Sequence, residues 1–377
     1  MDAATVQFVV ISLIKILAII FAALLPIVSY TVYAERRVSA MIQDRLGPNR
    51  VGPQGLLQPI ADAVKFLLKE DFTPGHVNKF YYWLAPALAM IPAITMIAVI
   101  PFGSTLDLGW LLGPLANATG WELDTSPIPM VIANVDIGVL FIFAVSSLGV
   151  YGIVLGGWAS NSKYPFLGGV RSSAQMISYE LALGLSVVPV FLFMGTLNLS
   201  EIVNFQWQNG WLVLPLWGDG VGSLQRWLLT IPMLISFVIF TVAIFAETNR
   251  LPFDLPESET ELVGGYHTEY SSMKFALYFL GEYAAMITGS AAIVTLFLGG
   301  WSLPGVPSGD SGFFWGVINI LTFFIKLVAL LFLFIWVRWS LPRFRYDQLM
   351  KLGWVWFFEI ALINIIVTAV ILALPIS

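Results

Sequence analysis

The chain has 377 residues, 58% of them hydrophobic and only 11% charged, with a mean hydropathy of +0.85. A soluble domain carries about 25% charged residues, so this composition excludes one and points to an integral membrane protein. The net charge of −5 offers no basic surface for nucleic acid, and without cysteine the chain cannot supply thiolates to an iron–sulfur cluster or form a disulfide. His76 and His267, the only histidines, are too few and too far apart to suggest haem or zinc by themselves.

A membrane-crossing helix needs about 20 mostly apolar residues. The first such run, 9–33, contains Lys15. It lacks the positive leading region and small-residue cleavage site of a signal peptide, so it reads as an uncleaved first span. The loop that follows, 34–80, holds GPNRVGPQG, rigid turn chemistry. Beyond it Leu57, Ile60, Ala61, Val64, Leu67 and Leu68 keep helical spacing while Asp62, Lys65 and Lys69 lie off the stripe. This amphipathic helix is too short to span and is expected to lie along the interface. There it either forms a sill for something entering sideways from lipid or simply anchors its bases to lipid phosphates.

Further spans are expected at 81–101, 131–156, 173–197, 228–246, 275–299, 313–337 and 353–374, making eight in a single membrane domain over 1–377. Pro86, Pro92, Pro189 and Pro232 fall inside them and are tolerated in lipid. The loops 34–80, 157–172, 247–274 and 338–352 carry 7, 2, 2 and 4 Lys or Arg. The alternate loops carry only Arg226, while Lys15 and Lys326 lie within spans. Positive residues stay inside. Both termini are therefore expected outside, on the periplasmic side, with every charge-rich loop in the cytoplasm of a bacterial plasma membrane.

Acids concentrate in one place. From Glu247 to Glu282 stand seven: Glu247, Asp254, Glu257, Glu259, Glu261, Glu269 and Glu282, against Arg250 and Lys274. An ionised Asp at a helix centre costs roughly 2.5–3.5 kcal/mol on insertion scales. Pro252 and Pro256 disfavour a helix through the first part, so an irregular loop with short helical pieces is expected. Like charges and partial burial both raise carboxyl pKa values, which suits a group that handles protons near neutral pH. The plain alternative is a solvated acidic loop. Against it, Glu247 and Glu282 bracket the loop at the membrane boundary.

In the fourth span Glu180 is a default functional candidate, with Arg171 or a polar cavity as partner. Arg171, Gln175 and Tyr179 share one helix face. In the last loop Arg343, Arg345 and Lys351 either balance the acidic loop or serve only as the positive-inside signal.

Four long motifs carry a resemblance. ERRVSAMIQDRLGPNRVGPQGLLQPIADAVKFLLKE, GGWASNSKY with AQMISYE, AETNRLPFDLPESETELVGGY with EY at 269–270, and PRFRYDQLM closely resemble the H-subunit (mitochondrial subunit 1) family of the proton-pumping NADH:quinone oxidoreductase, respiratory complex I. The resemblance implies a place at the heel of the membrane arm, under peripheral-arm quinone-site subunits and beside small membrane-arm subunits. Quinone is then a bound substrate, with flavin and iron–sulfur clusters on the partners. Glu35, Arg36, Arg45, Asp62, Lys65 and Arg250 would line the quinone chamber. Glu180, Glu247, Asp254, Glu257, Glu259, Glu261, Glu269 and Glu282 would couple protons onward, with no catalytic residue in this chain alone.

Two places depart from the family pattern: Val355 and Glu359 near the last span, where a base and an uncharged residue are usual, and Ser272, where many relatives have Gly. Two other functions share these features. One is the homologous subunit of a membrane-bound hydrogenase or related dehydrogenase. The other is an independent proton- or cation-coupled transporter using Glu180 and Glu282.

Overall fold

The computed structural model describes residues 3–109, 114, 126–214, 223–303 and 312–374. Eight of its helices are long and apolar enough to cross a membrane, so the chain is a multi-pass, all-α membrane protein. The first, α1, is α-helical over Ala3–Leu17, π-helical over Ala18–Leu24 and α-helical again over Leu25–Ile42. A short helix α2 (Gln58–Leu68) stands in the first loop. Next, α3 (Lys79–Thr95) ends in a 3-10 turn at Met96–Val99. Two short strands follow, β1 (Thr105–Leu106) and β2 (Ile128–Pro129), paired antiparallel with Thr105 opposite Pro129.

After α4 (Gly138–Ala159), α5 (Lys163–Met194) and a short α6 (Leu199–Asn209) comes α7 (Leu224–Glu247). The acidic segment then holds only α8 (Glu259–Leu262) and a 3-10 turn at Gly265–His267. Last are α9 (Ser272–Phe297), α10 (Phe313–Ser340) and α11 (Tyr346–Ala373), whose Leu352–Phe357 turn is π-helical.

Several helices overrun the apolar runs that announce them. α1 continues past residue 33 through Glu35, Arg36 and Arg37, α5 starts at Lys163, and α11 starts at Tyr346. Hydropathy falls at the first charge, but Arg, Lys and Glu are good helix formers. The backbone ladder therefore runs on past the end of each apolar run. These extensions carry charged side chains on rigid helix rather than on loop.

α9 is the central helix. In its most apolar window 78% of residues are buried inside the protein, against 11% for α1 and 17% for α11. Small residues let its neighbours approach. A Cβ added at Gly152 of α4 would lie 2.5 Å from the Ala89 nitrogen of α3, and one at Gly281 of α9 would lie 3.2 Å from the Ala89 carbonyl. Close backbone approach of this kind is how helices pack where the hydrophobic effect gives no preference for protein over lipid.

The three bases outside the charge-rich loops all bind backbone carbonyls. Lys15 donates to Pro129 and Val131, and Arg226 donates to Gly210 at 3.1 Å beneath the Phe193 ring. Lys326 on α10 donates to Leu298, Gly300 and Ser302 at 2.7, 2.9 and 2.7 Å. A cation at the carbonyl end of a helix also meets its negative dipole end. Lys326 thus caps α9, where Gly299 and Gly300 turn the chain through positive φ.

Lys326→Met is expected to strand those three carbonyls at about 1–3 kcal/mol for each buried group left without a donor. The thermal midpoint of the purified protein should fall by several degrees and recover in part with Lys326→Arg. An unchanged midpoint in Lys326→Met would remove this capping role.

Candidate functional site

A cleft of about 360 Å³ opens between the second half of α1, α2 and the start of α9. Its walls are largely apolar and aromatic, with Val32, Phe66, Phe275, Phe279 and Leu280 among them. Arg36 and Asp62 stand on its rim as a 2.8 Å ion pair, and Gln58 donates to the other Asp62 oxygen at 3.0 Å. Ser272 ties α2 to α9, its single hydroxyl proton shared between the Phe66 and Lys69 carbonyls at 3.0 Å each. Its φ is +54°, a left-handed conformation that glycine adopts more readily than serine.

Tyr283 closes the inner end of the cleft. Its hydroxyl donates to Glu35 Oε2 at 2.6 Å, and the Arg250 guanidinium lies 4.0 Å over its ring. Arg250 Nε is 2.7 Å from Glu282 Oε1, its Nη1 is 3.7 Å from Glu35 Oε2, and Arg338 pairs with Glu35 Oε1. Residues from α1, the acidic loop, α9 and α10 thus meet in one buried cluster. Arg250 is only 4% exposed. Burial works against its charge, but Glu282, Tyr283 and Glu35 outweigh that and hold its pKa above the usual range.

A second, smaller cavity of about 70 Å³ borders the cluster at Glu282 and is also lined by Glu247, Ser146, Asn249, Tyr266 and Tyr278. A further space of about 30 Å³ adjoins Glu247 from the α4 and α7 side. A water needs roughly 10–15 Å³ of such space, so both can hold water beside carboxylates. Adjacent residues of α9 therefore face different compartments: Tyr283 the cleft and Glu282 the inner cavity.

The acidic loop divides by environment. Asp254 pairs with Arg343 at 2.9 Å. Burial raises its pKa, and Arg343 opposes the rise. Glu257 faces His267 Nδ1 at 3.7 Å. Burial first, then the Glu282 and Asp254 charges, push its pKa well above the usual carboxyl value. The His267 pKa is pushed down to about 4 by burial, so at neutral pH it gives Glu257 no countercharge. Glu261 is exposed and bridges to Arg171 at 2.6 Å. Arg171 is therefore the partner of Glu261 and is not engaged with Glu180. Glu180 lies within electrostatic reach of Glu247. Glu269 offers its backbone carbonyl to the Tyr82 hydroxyl at 2.6 Å, and the Glu259 side chain lies outside the described residues.

Of the other expected chamber residues, Arg45 is exposed and donates to Gln43, and Lys65 is exposed and does not border the cleft. Arg343 does balance the acidic loop, whereas Arg345 pairs with Asp347 in its own segment. Val355 and Glu359 sit on the exposed side of α11, away from the cluster. Gln175, buried on α5, donates to the Ala246 and Phe253 carbonyls and to Asn249 at 2.7, 2.8 and 3.2 Å. It holds the start of the acidic loop in place. Sequence reading gave no role to Tyr283, Arg338 or Ser146. Adjacency to Glu282 and to a membrane boundary were the only signals for the first two.

A family model described as NADH dehydrogenase matches residues 14–369. The NADH-quinone oxidoreductase H subunit 2 of Koribacter versatilis is 48% identical over 368 residues, covering 97% of this chain and 98% of that protein. The corresponding H subunit 1 of Cytophaga hutchinsonii is 46% identical, covering 94% of each. NADH-quinone oxidoreductase subunit 8 of Rhodothermus marinus is 48% identical, covering 94% of this chain and 96% of that one. With the match running through every spanning helix and near-half identity to these relatives, the chain belongs to the NADH dehydrogenase family.

Proposed function

We propose that this chain is the membrane subunit of a proton-translocating NADH:quinone oxidoreductase, forming much of the quinone-access chamber and relaying quinone reduction to proton movement through its buried acids. One observation carries the reading. The apolar cleft ends on Tyr283, whose hydroxyl binds Glu35 in the same cluster that holds Arg250 and Glu282. A lipid-soluble headgroup following the cleft inward arrives beside ionised groups and, one residue further, beside a cavity lined by Glu247 and Glu282.

In this reading α2 lies on the cytoplasmic membrane surface with its exposed Leu57, Ile60, Val64 and Leu67 toward lipid. The termini are periplasmic, and the charge-rich loops meet the peripheral-arm subunits. Arg36 and Asp62 mark the chamber mouth, while Arg250 and Glu35 stand at its inner end. Glu282, Glu247 and Glu180, with Asp254 and Glu257 above them, make the acidic path toward neighbouring small membrane subunits. Glu259, Glu261 and Glu269 belong to the cytoplasmic side of that path, and Arg45 and Lys65 to the outer surface around the mouth. Electrons come from flavin and iron–sulfur centres on partner subunits in a bacterial plasma membrane.

Glu282→Gln in the assembled complex should lower NADH:quinone reductase activity by about tenfold or more, because a buried Arg250 loses its nearest countercharge. NADH oxidation with an artificial acceptor at the flavin should remain. Unchanged quinone reduction and proton uptake into vesicles would overturn the proposal.

Leu280→Trp narrows the cleft without touching the cluster. It should raise KM for a long-chain quinone about tenfold and raise it much less for a short-chain analogue. Equal effects on both would place the tail elsewhere.

His267 gives a pH prediction. Its folded pKa of about 4 lies below the ordinary 6.5, so acid protonates the unfolded state first. Stability is full above about pH 6.5 and is lost on falling to about pH 4, at up to about 1.4 kcal/mol per pH unit. Thermal midpoints of wild type and His267→Gln should therefore diverge in favour of the variant across that window. Parallel profiles would contradict a buried neutral imidazole.

A further inference from the structure

A second cleft, of about 540 Å³, separates the first half of α1 from the body of the protein. It follows α1 from Ile11 to Ile27 and is closed on the far side by Ile100, Ala291, Phe323 and Leu327. From Ile11 to Ile27 there are sixteen rises of about 1.5 Å, making it about 24 Å long. Apart from Lys15 the described residues of its walls are apolar, which suits a hydrocarbon chain. The π-helical turn Ala18–Leu24 contributes Ala18, Ala22 and Ala23 to the wall, and these small side chains leave the space open.

Among the described residues Lys15 is the single ionisable one lining it. Helical side chains lean toward the N-terminus, so the ammonium reaches toward the outer end of α1. It donates to the Pro129 and Val131 carbonyls at 2.8 and 3.2 Å. An ammonium has three donors, which leaves one for an acceptor arriving from lipid. Among the described residues no carboxylate borders the cleft, so an anion is the complementary partner.

The two clefts do not merge. Between them Leu24 and Val28 seat α1 on the core at 1% and 3% exposure. A tail lying in the inner cleft meets that seat before it meets Lys15.

We propose that this outer cleft binds one acyl chain of an anionic phospholipid from the leaflet on the N-terminal side of α1, with its phosphate on Lys15. Half of a hydrocarbon core is about 15 Å, so a chain entering at the headgroup level lies wholly within the cleft. The site stands independently of the quinone reading. It pins the otherwise loosely held outer half of α1 to the body through lipid.

The test uses the intact purified complex in phosphatidylcholine vesicles containing a minority of phosphatidylglycerol with a photoactivatable acyl chain. Irradiation should label the peptide spanning Ala18–Leu24. Lys15→Gln should reduce the preference for phosphatidylglycerol over an equally labelled phosphatidylcholine by about fivefold. Ala22→Trp should reduce labelling by either lipid, with quinone reductase activity confirming assembly. Three results would overturn the proposal: labelling no greater than at the exposed Ile363 and Ile366 of α11, a headgroup preference unmoved by Lys15→Gln, or loss of the label on adding a long-chain quinone.

Discussion

Arg250 surrounded by carboxylates is the constraint on which the rest of the structure hangs. A guanidinium buried this deeply in a membrane protein is costly unless it is paired. Its partners come from helices far apart in sequence: Glu35 from α1, Glu282 from α9, and Arg338 from α10 acting through Glu35. Satisfying one cation therefore fixes the relative positions of three spanning helices and the loop that follows α7. The Tyr283 ring under the guanidinium and its hydroxyl on Glu35 add direction to what would otherwise be point charges.

Charge balance then sorts the acids. Glu35 and Glu282 are matched by Arg250 and Arg338, and Asp254 is matched by Arg343. Glu261 is matched at the surface by Arg171. Glu257 is not matched, since its neighbour His267 stays neutral down to about pH 4. No ion pair reaches Glu247 among the described residues, although it borders two cavities. A paired carboxylate gives up its proton readily and is poorly suited to carrying one. The unmatched ones are where proton occupancy changes with small changes in nearby charge.

How much of this the sequence displayed depends on the kind of interaction. Spanning helices are long and their apolar runs are a local property, so eight of them were legible, as was the concentration of acids between Glu247 and Glu282. Pairing was not. Arg171 lies nine residues from Glu180 on the same helix, which suggested a partnership, yet a helix carries the two side chains in different directions and Arg171 bridges to Glu261 instead. Tyr283 looked like one more aromatic in a chain that is 14% aromatic. Lys15, Arg226 and Lys326 could be noted but not explained, because their partners are backbone carbonyls that carry no signature in the sequence.

The division of α9 at Glu282 and Tyr283 sets the terms on which the proposed coupling can work. A neutral quinone arriving at Tyr283 adds no charge to a cluster whose acids and bases already balance, so the matched pairs have no reason to rearrange. A reduced headgroup bearing negative charge is different. It competes with Glu35 and Glu282 for Arg250, and at an effective dielectric of about 20 a unit charge at 4 Å is worth about 4 kcal/mol. That is enough to weaken the 2.7 Å Arg250–Glu282 contact and to make protonation of a neighbouring carboxyl favourable. Glu282 also lines the cavity that Glu247 borders, so in the proposed coupling a proton taken up at Glu282 would pass toward Glu247 on that face of α9.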